Sequence, residues 1–174
     1  MPIAVHSDLF AIEIFPPLLL NNSVFDIYSY LDRIGFSYFY PPLSYYLFAS
    51  FQFVLQHLSA TYLSWMDNLR VSYLQGLQGQ ANAYIKAAPN PNILKDLFIA
   101  KIPLLAFDLA ALIILFKFIQ KKVIKKGSLI LWVLNPVIIY TTYLFGQFDI
   151  IVLFFILLGF YLIRKKTKLG ILAL

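Results

Sequence analysis

A chain of 174 residues that is 61% hydrophobic and only 13% charged departs from soluble domains, which are about half apolar and a quarter charged. With 17 Phe and 12 Tyr, ring-bearing residues that favour lipid and its interfaces, it reads as an all-α integral membrane protein. The net charge of +6 does not argue for nucleic acid, because Lys117, Lys121, Lys122, Lys125 and Lys126, then Arg164, Lys165, Lys166 and Lys168, sit in two clusters beside apolar runs. Clusters so placed mark cytoplasmic ends held by anionic lipid.

No secretory signal opens the chain, since Met1 is followed by Pro2, His6 and Asp8 without a basic stretch or a long apolar core. In "HSDLFAIEIF" the spacing of Leu9, Ile12 and Phe15 suits a short amphipathic helix that Pro16 and Pro17 interrupt. By itself Asp8 reads as an exposed acid or a cap. His6 has only His57 as a fellow histidine, and there is no cysteine, so neither a zinc site nor a disulfide is expected. Pro41 and Pro42 then fix a helical first turn. Leu43, Tyr46, Leu47, Ser50, Phe51, Val54, Leu55 and Leu58 recur at three-four spacing behind it, with Ser44, Gln52 and Gln56 on the other side. This predicts an interfacial helix over residues 43–58, although its length leaves a crossing open. Thr61–Lys86 is more polar, with Met66, Leu69, Tyr73, Leu74, Leu77, Tyr84 and Ile85 as a loose apolar stripe, and "AAPNPN" ends it.

Three runs could span a bilayer: residues 97–119, 128–145 and 148–163, with a further apolar run starting at 169. The third is short against the roughly 20 helical residues that about 30 Å of hydrocarbon requires. "KFIQKKVIKK" and "RKKTK" place the ends of the first and third spans in the cytoplasm. The "FGQFD" turn between the second and third spans therefore faces the other side, recessed into the outer leaflet, where polar groups need protein or water around them. Residues 1–96 become an extracytoplasmic loop with interfacial helices, and residues 97–174 the transmembrane region. "KLGILAL" stops as an apolar run begins, so the chain reads as a fragment.

Asp108 falls in the middle of a span, where a carboxylate is expensive and is commonly functional or paired. Lys101 lies two turns earlier on the same face. Packing, ion pairing and an ion path are all open for these two. Asp149 suits either the N-cap of the third span or a direct role in a site. No glycine-rich phosphate loop and no Ser/His/Asp set is present, and no cluster of metal ligands is seen. No cofactor is expected, with a carboxylate-bound divalent ion left open.

The order of the pieces adds a resemblance. "HSDLF", "YFYPPLSYYLFASF", "IAKIPLLAFDLAALIILF", a basic turn, "LNPVIIYTTYLFGQFD" and a short apolar run ending in "RKK" together resemble the N-terminal part of a GT-C fold glycosyltransferase. The similarity is to bacterial and archaeal proteins related to the second GPI mannosyltransferase, and to the dolichyl-phosphate-glucose glucosyltransferases. The resemblance implies a polytopic helical bundle with a long first extracytoplasmic loop, in a prokaryotic plasma membrane or the endoplasmic reticulum. It implies inverting transfer of a hexose, mannose foremost, from a polyprenyl-phosphate donor to a glycan, lipid-linked or protein-linked acceptor. Asp8 would be the catalytic base. His6, Tyr40, Lys101, Gln147 and Asp149 would bind substrate, while Pro41, Pro42, Asp108 and Asn135 would be structural. A transporter and a non-catalytic membrane assembly subunit are the alternatives. A transporter would need its polar groups near the bilayer midplane, and a subunit would tolerate loss of Asp8 and Gln147.

Overall fold

The structure is a computed structural model and describes residues 9, 12–20, 26–34, 40–74, 89–119, 122–146 and 148–165. It is mostly helical, with no strand among the described residues. The expected catalytic Asp8, and His6 and Gln147 with it, lie outside the described residues. The chain divides into two compact units, Met1–Ala100 and Lys101–Leu174.

The first unit contains α1 (Pro16–Leu20), α2 (Ile27–Arg33), α3 (Pro42–Leu55, extended by a tighter turn over Gln56–Leu58) and α4 (Tyr62–Leu74). Helix α1 packs on α3 and α4, and α2 packs on α3. Ile12, Ile14, Phe15, Leu31, Tyr45, Phe48, Tyr62, Met66 and Leu69 form a fully enclosed core. Asp26 starts α2 as its N-cap: the carboxylate accepts from the backbone N–H groups of Tyr28 at 3.0 Å and Ser29 at 3.2 Å, satisfying donors that a helix start leaves bare. Pro42 opens α3, as the sequence predicts.

The stripe that the sequence assigns to a lipid surface is mostly exposed on α3, and the helix buries another side. Tyr45, Phe48, Ala49, Gln52 and Leu55 point inward, while Leu43 and Val54 of the predicted apolar stripe are 69% and 65% exposed. The helix carries large apolar residues all round, so periodicity alone could not choose its inner side. Gln52 settles the matter: it is drawn inward by a partner 39 residues away.

Helix α5 (Ile93–Phe118) begins in the first unit and runs through the second, where it is joined by α6 (Lys122–Val133), a single turn α7 (Pro136–Ile138), a π-helical segment (Ile139–Phe145) and α8 (Asp149–Arg164). The stretches Ile93–Phe118 and Gly127–Leu144 are long and apolar enough to cross a bilayer, which supports a membrane protein. Helix α8 has 16 residues, a rise of about 24 Å, short of a full crossing as the sequence indicates.

Ring contacts give the topology of the second unit. Phe107 meets Phe154 at 5.1 Å, and eleven residues further along α5 Phe118 meets Tyr161 at 5.7 Å. Helices α5 and α8 therefore run parallel. The intervening stretch runs the other way, since Trp132 bonds to Asp108 and the later Tyr143 reaches the earlier Lys101. The basic ends of α5 and α8 consequently meet: Arg164 donates to the carbonyl of Phe118, and Lys117 and Lys165 both lie against the Tyr161 ring. The two basic clusters were expected on one side for electrostatic reasons, and the packing brings Lys117 to the same helix ends as Arg164 and Lys165.

Candidate functional site

The second span is not a continuous α-helix. Asn135 and Pro136 interrupt it, because Pro136 has no N–H to donate and restricts the residue before it. Asn135 restarts the helix as an N-cap, its side chain accepting from the N–H of Val137 at 2.9 Å. Ile139–Phe145 then follows in the wider π pattern, seven residues where such segments are usually a single turn. Gly146 ends it at φ 79, a left-handed conformation that glycine adopts without penalty, and sends its N–H back to the carbonyl of Thr141.

Two residues of α5 converge on this segment. The ammonium of half-buried Lys101 donates to the carbonyl oxygens of Tyr143 at 3.0 Å and Leu144 at 2.9 Å. Buried Asp108 accepts the indole N–H of Trp132 on one oxygen at 2.8 Å, and the hydroxyl of Tyr143 on the other. Tyr143 is thus held by its main chain and by its phenol. Asp149 follows as the first residue of α8 and is exposed. It is not the N-cap, a position held by Phe148. Its carboxylate instead sits inside the first turn, where negative charge favours the positive end of the helix dipole.

In the first unit, Tyr40 is buried, with its carbonyl accepting from the Tyr28 hydroxyl at 2.6 Å and its ring edge-on to Tyr45. The polar groups of Tyr28 and Tyr40 thereby fasten α2 to the "YPP" entry of α3. Pro41 and Pro42 are exposed there. An open groove of about 410 Å³ lies between α1 and α3, lined by Leu19, Leu20, Tyr46, Ala49, Ser50 and Phe53.

This unit also holds a carboxyl to which the sequence assigned no role. Glu13 is completely buried. Its Oε2 accepts from the Gln52 amide at 2.7 Å and the Tyr62 hydroxyl at 2.6 Å, and its Oε1 has no hydrogen-bond partner among the described residues. Burial raises its pKa to about 8, against the lowering effect of those two bonds, since the charged form is costly without water. The Tyr62 hydroxyl is itself held well above its ordinary range by burial first and by the Glu13 charge second. Asp96, also completely buried, accepts from the Thr61 hydroxyl at 2.7 Å and the Asn90 amide at 2.6 Å. An acid inside "LFAIEIF" was visible in the sequence. Its partners, 39 and 49 residues away, were not.

No group of three or more His, Cys, Asp or Glu residues able to hold a metal ion occurs among the described residues. The two units hold the predicted residues in separate sets: Tyr40, Pro41 and Pro42 in the first, and Lys101, Asp108, Asn135 and Asp149 in the second. Comparison with family models, curated proteins and solved structures returned no match to this chain.

Proposed function

We propose that the protein is an inverting membrane glycosyltransferase of the GT-C class, transferring a hexose, mannose foremost, from a polyprenyl-phosphate donor such as a dolichol derivative. The acceptor is a lipid- or protein-linked glycan. The observation that carries this reading is the held turn at the foot of α8. Lys101 fixes the carbonyls of Tyr143 and Leu144, ahead of Phe145 and Gly146, and Asp149 stands exposed at the start of α8. A reacting centre for a lipid-borne sugar needs a polar turn kept in a fixed place beside apolar helices, because catalytic groups must be preorganised. The exposed apolar side of α3, with Leu43, Tyr46, Phe53 and Val54, supports a first loop that lies on lipid.

In this reading residues 1–96 and the "FGQFD" turn lie on the non-cytoplasmic side. The acceptor hydroxyl oxygen attacks the anomeric carbon in line and its proton passes to the Asp8 carboxylate. The bond from the anomeric carbon to the phosphate oxygen breaks, and the polyprenyl phosphate departs with that electron pair from the opposite face. The transporter alternative rests on Lys101 and Asp108 as part of an ion path. Against it, Asp108 meets a donor at each oxygen and Lys101 meets two carbonyls, the bonding of a packed interface.

The test is transfer from radiolabelled polyprenyl-phosphate hexoses by membranes carrying the full-length gene product, with Asp8→Asn beside the parent. Loss of about 10³-fold in the variant, as general-base removal commonly causes, supports the reading and the role of Asp8. Unchanged transfer keeps the class and moves the base elsewhere. Absence of transfer from every donor overturns the reading.

A further inference from the structure

We propose that Lys101 and Asp108 act as positioning residues, a two-point clamp on Tyr143 that holds the end of the π segment at Gly146, ahead of Phe148 and α8, so that Lys101 serves the backbone and not the substrate. The turn's importance as a reaction centre rests on the glycosyltransferase reading; the clamp does not.

Three observations converge. The last carbonyls of a helix have no N–H ahead of them, and the carbonyls of Tyr143 and Leu144 are among these for the π segment. Lys101 supplies the missing donors from a neighbouring helix at 3.0 and 2.9 Å. A cation is the favoured group there, because a helix C-terminus carries partial negative charge. Next, Lys101 and Asp108 are seven residues apart in one helix, about 10 Å along its axis and on one face, yet both reach the same residue, Tyr143. Asp108 also takes the indole of Trp132 from α6, so it ties the helices on both sides of the Asn135 break to α5. Finally, the segment they hold is π-helical and ends on a left-handed Gly146, a geometry that persists only when surrounding contacts impose it. The clamp supplies these contacts directly ahead of the turn.

The chain has no cysteine, so a single introduced thiol reports one position without background. Phe148→Cys places the probe in the turn. Gly127→Cys is the control, where an added side chain meets nothing within 4 Å. Both are introduced into the full chain in nanodiscs, whose two faces are open to reagent, and the rate of reaction with a charged maleimide is followed. With Lys101→Met, which removes both charge-assisted hydrogen bonds, the rate at position 148 is expected to rise at least about tenfold. The rate at 127 should stay at its parental value. Lys101→Arg, which can still donate to two carbonyls, should restore the parental rate at 148.

An unchanged rate at 148 in Lys101→Met overturns the clamp. So does an equal rise at both positions, which marks general destabilisation, or a failure of arginine to rescue. Should Lys101→Met yield no folded protein, Tyr143→Phe decides: it removes only the phenol and should raise labelling at 148 a few-fold, while the parental rate refutes the proposal. Hexosyl transfer, measured on the same samples, separates the two readings. Labelling as expected with no transfer from the parent leaves the clamp and removes the enzyme. Loss of transfer in Lys101→Met with unchanged labelling returns Lys101 to the substrate.

Discussion

Both units bury carboxyls between side-chain donors, and Glu13 of the first and Asp108 of the second are built differently. In the first unit both donors of Glu13, Gln52 and Tyr62, meet the same oxygen, and the other oxygen is bare among the described residues. In the second, Trp132 and Tyr143 meet opposite oxygens of Asp108. Burial is what favours the neutral form of Glu13, because the charged form is costly away from water. Glu13 should therefore report on pH, and Asp108 on geometry.

The largest fixed loss is expected where a link between helices is removed. Asp108→Leu leaves the indole N–H of Trp132 and the hydroxyl of Tyr143 without their acceptor, and should lower the stability of the second unit by about 3 kcal/mol. Asp108→Asn retains one acceptor oxygen and should cost about 1 kcal/mol. Denaturant unfolding in detergent, followed by tryptophan fluorescence, measures both. Equal losses in the two variants would remove the two-oxygen account of Asp108.

The Glu13 prediction concerns a slope with pH and not a fixed loss. Its folded pKa of about 8 lies above the ordinary value of 4.5, so between these values the folded state holds a proton that the unfolded state has released. Stability is then fullest below the ordinary value and falls as pH rises towards 8, by about 1.4 kcal/mol per pH unit. Glu13→Gln, neutral throughout, should remove this component. Parent and variant unfolding curves at pH 5, 6, 7 and 8 give the difference directly, and a difference that does not change with pH would remove the neutral-acid account. Below this in size, Tyr62→Phe should cost about 1 kcal/mol at pH 6, the worth of a typical single hydrogen bond.

The same comparison shows what could be read from the sequence. The uncharged run in α8 was visible because nothing polar interrupts it, and α5 was visible through its length. Its start at Ile93 was not, because Lys95 and Asp96 look like the end of a loop until Asp96 is seen buried against Thr61 and Asn90. The start of α3 was legible in Pro41 and Pro42, but its inner face was not, since apolar residues occupy both sides and a distant Glu13 decides. Of the candidate site, the polar turn and the two charged residues of α5 were legible as exceptions in an apolar background. Their meeting at Tyr143 depends on a π segment that has no local signature.

The smallest effect tests the break that allows this meeting. Asn135 caps the restarted helix through a 2.9 Å bond to the N–H of Val137, and an N-cap replaced by alanine loses about 1 kcal/mol. Asn135→Ala should show that modest loss in the second unit. Asn135→Ser, which keeps an acceptor at the cap, should stay within about 0.5 kcal/mol of the parent. Pro136→Ala is the sharper companion, because it restores an N–H at the interruption and lets a continuous α-helix compete with the π segment. If the break is needed to bring Tyr143 to Asp108 and Lys101, Pro136→Ala should speed maleimide labelling at Phe148→Cys although the helix itself becomes easier to form. Slower labelling would mean that the break strains the turn, and that the second span carries its kink for another purpose.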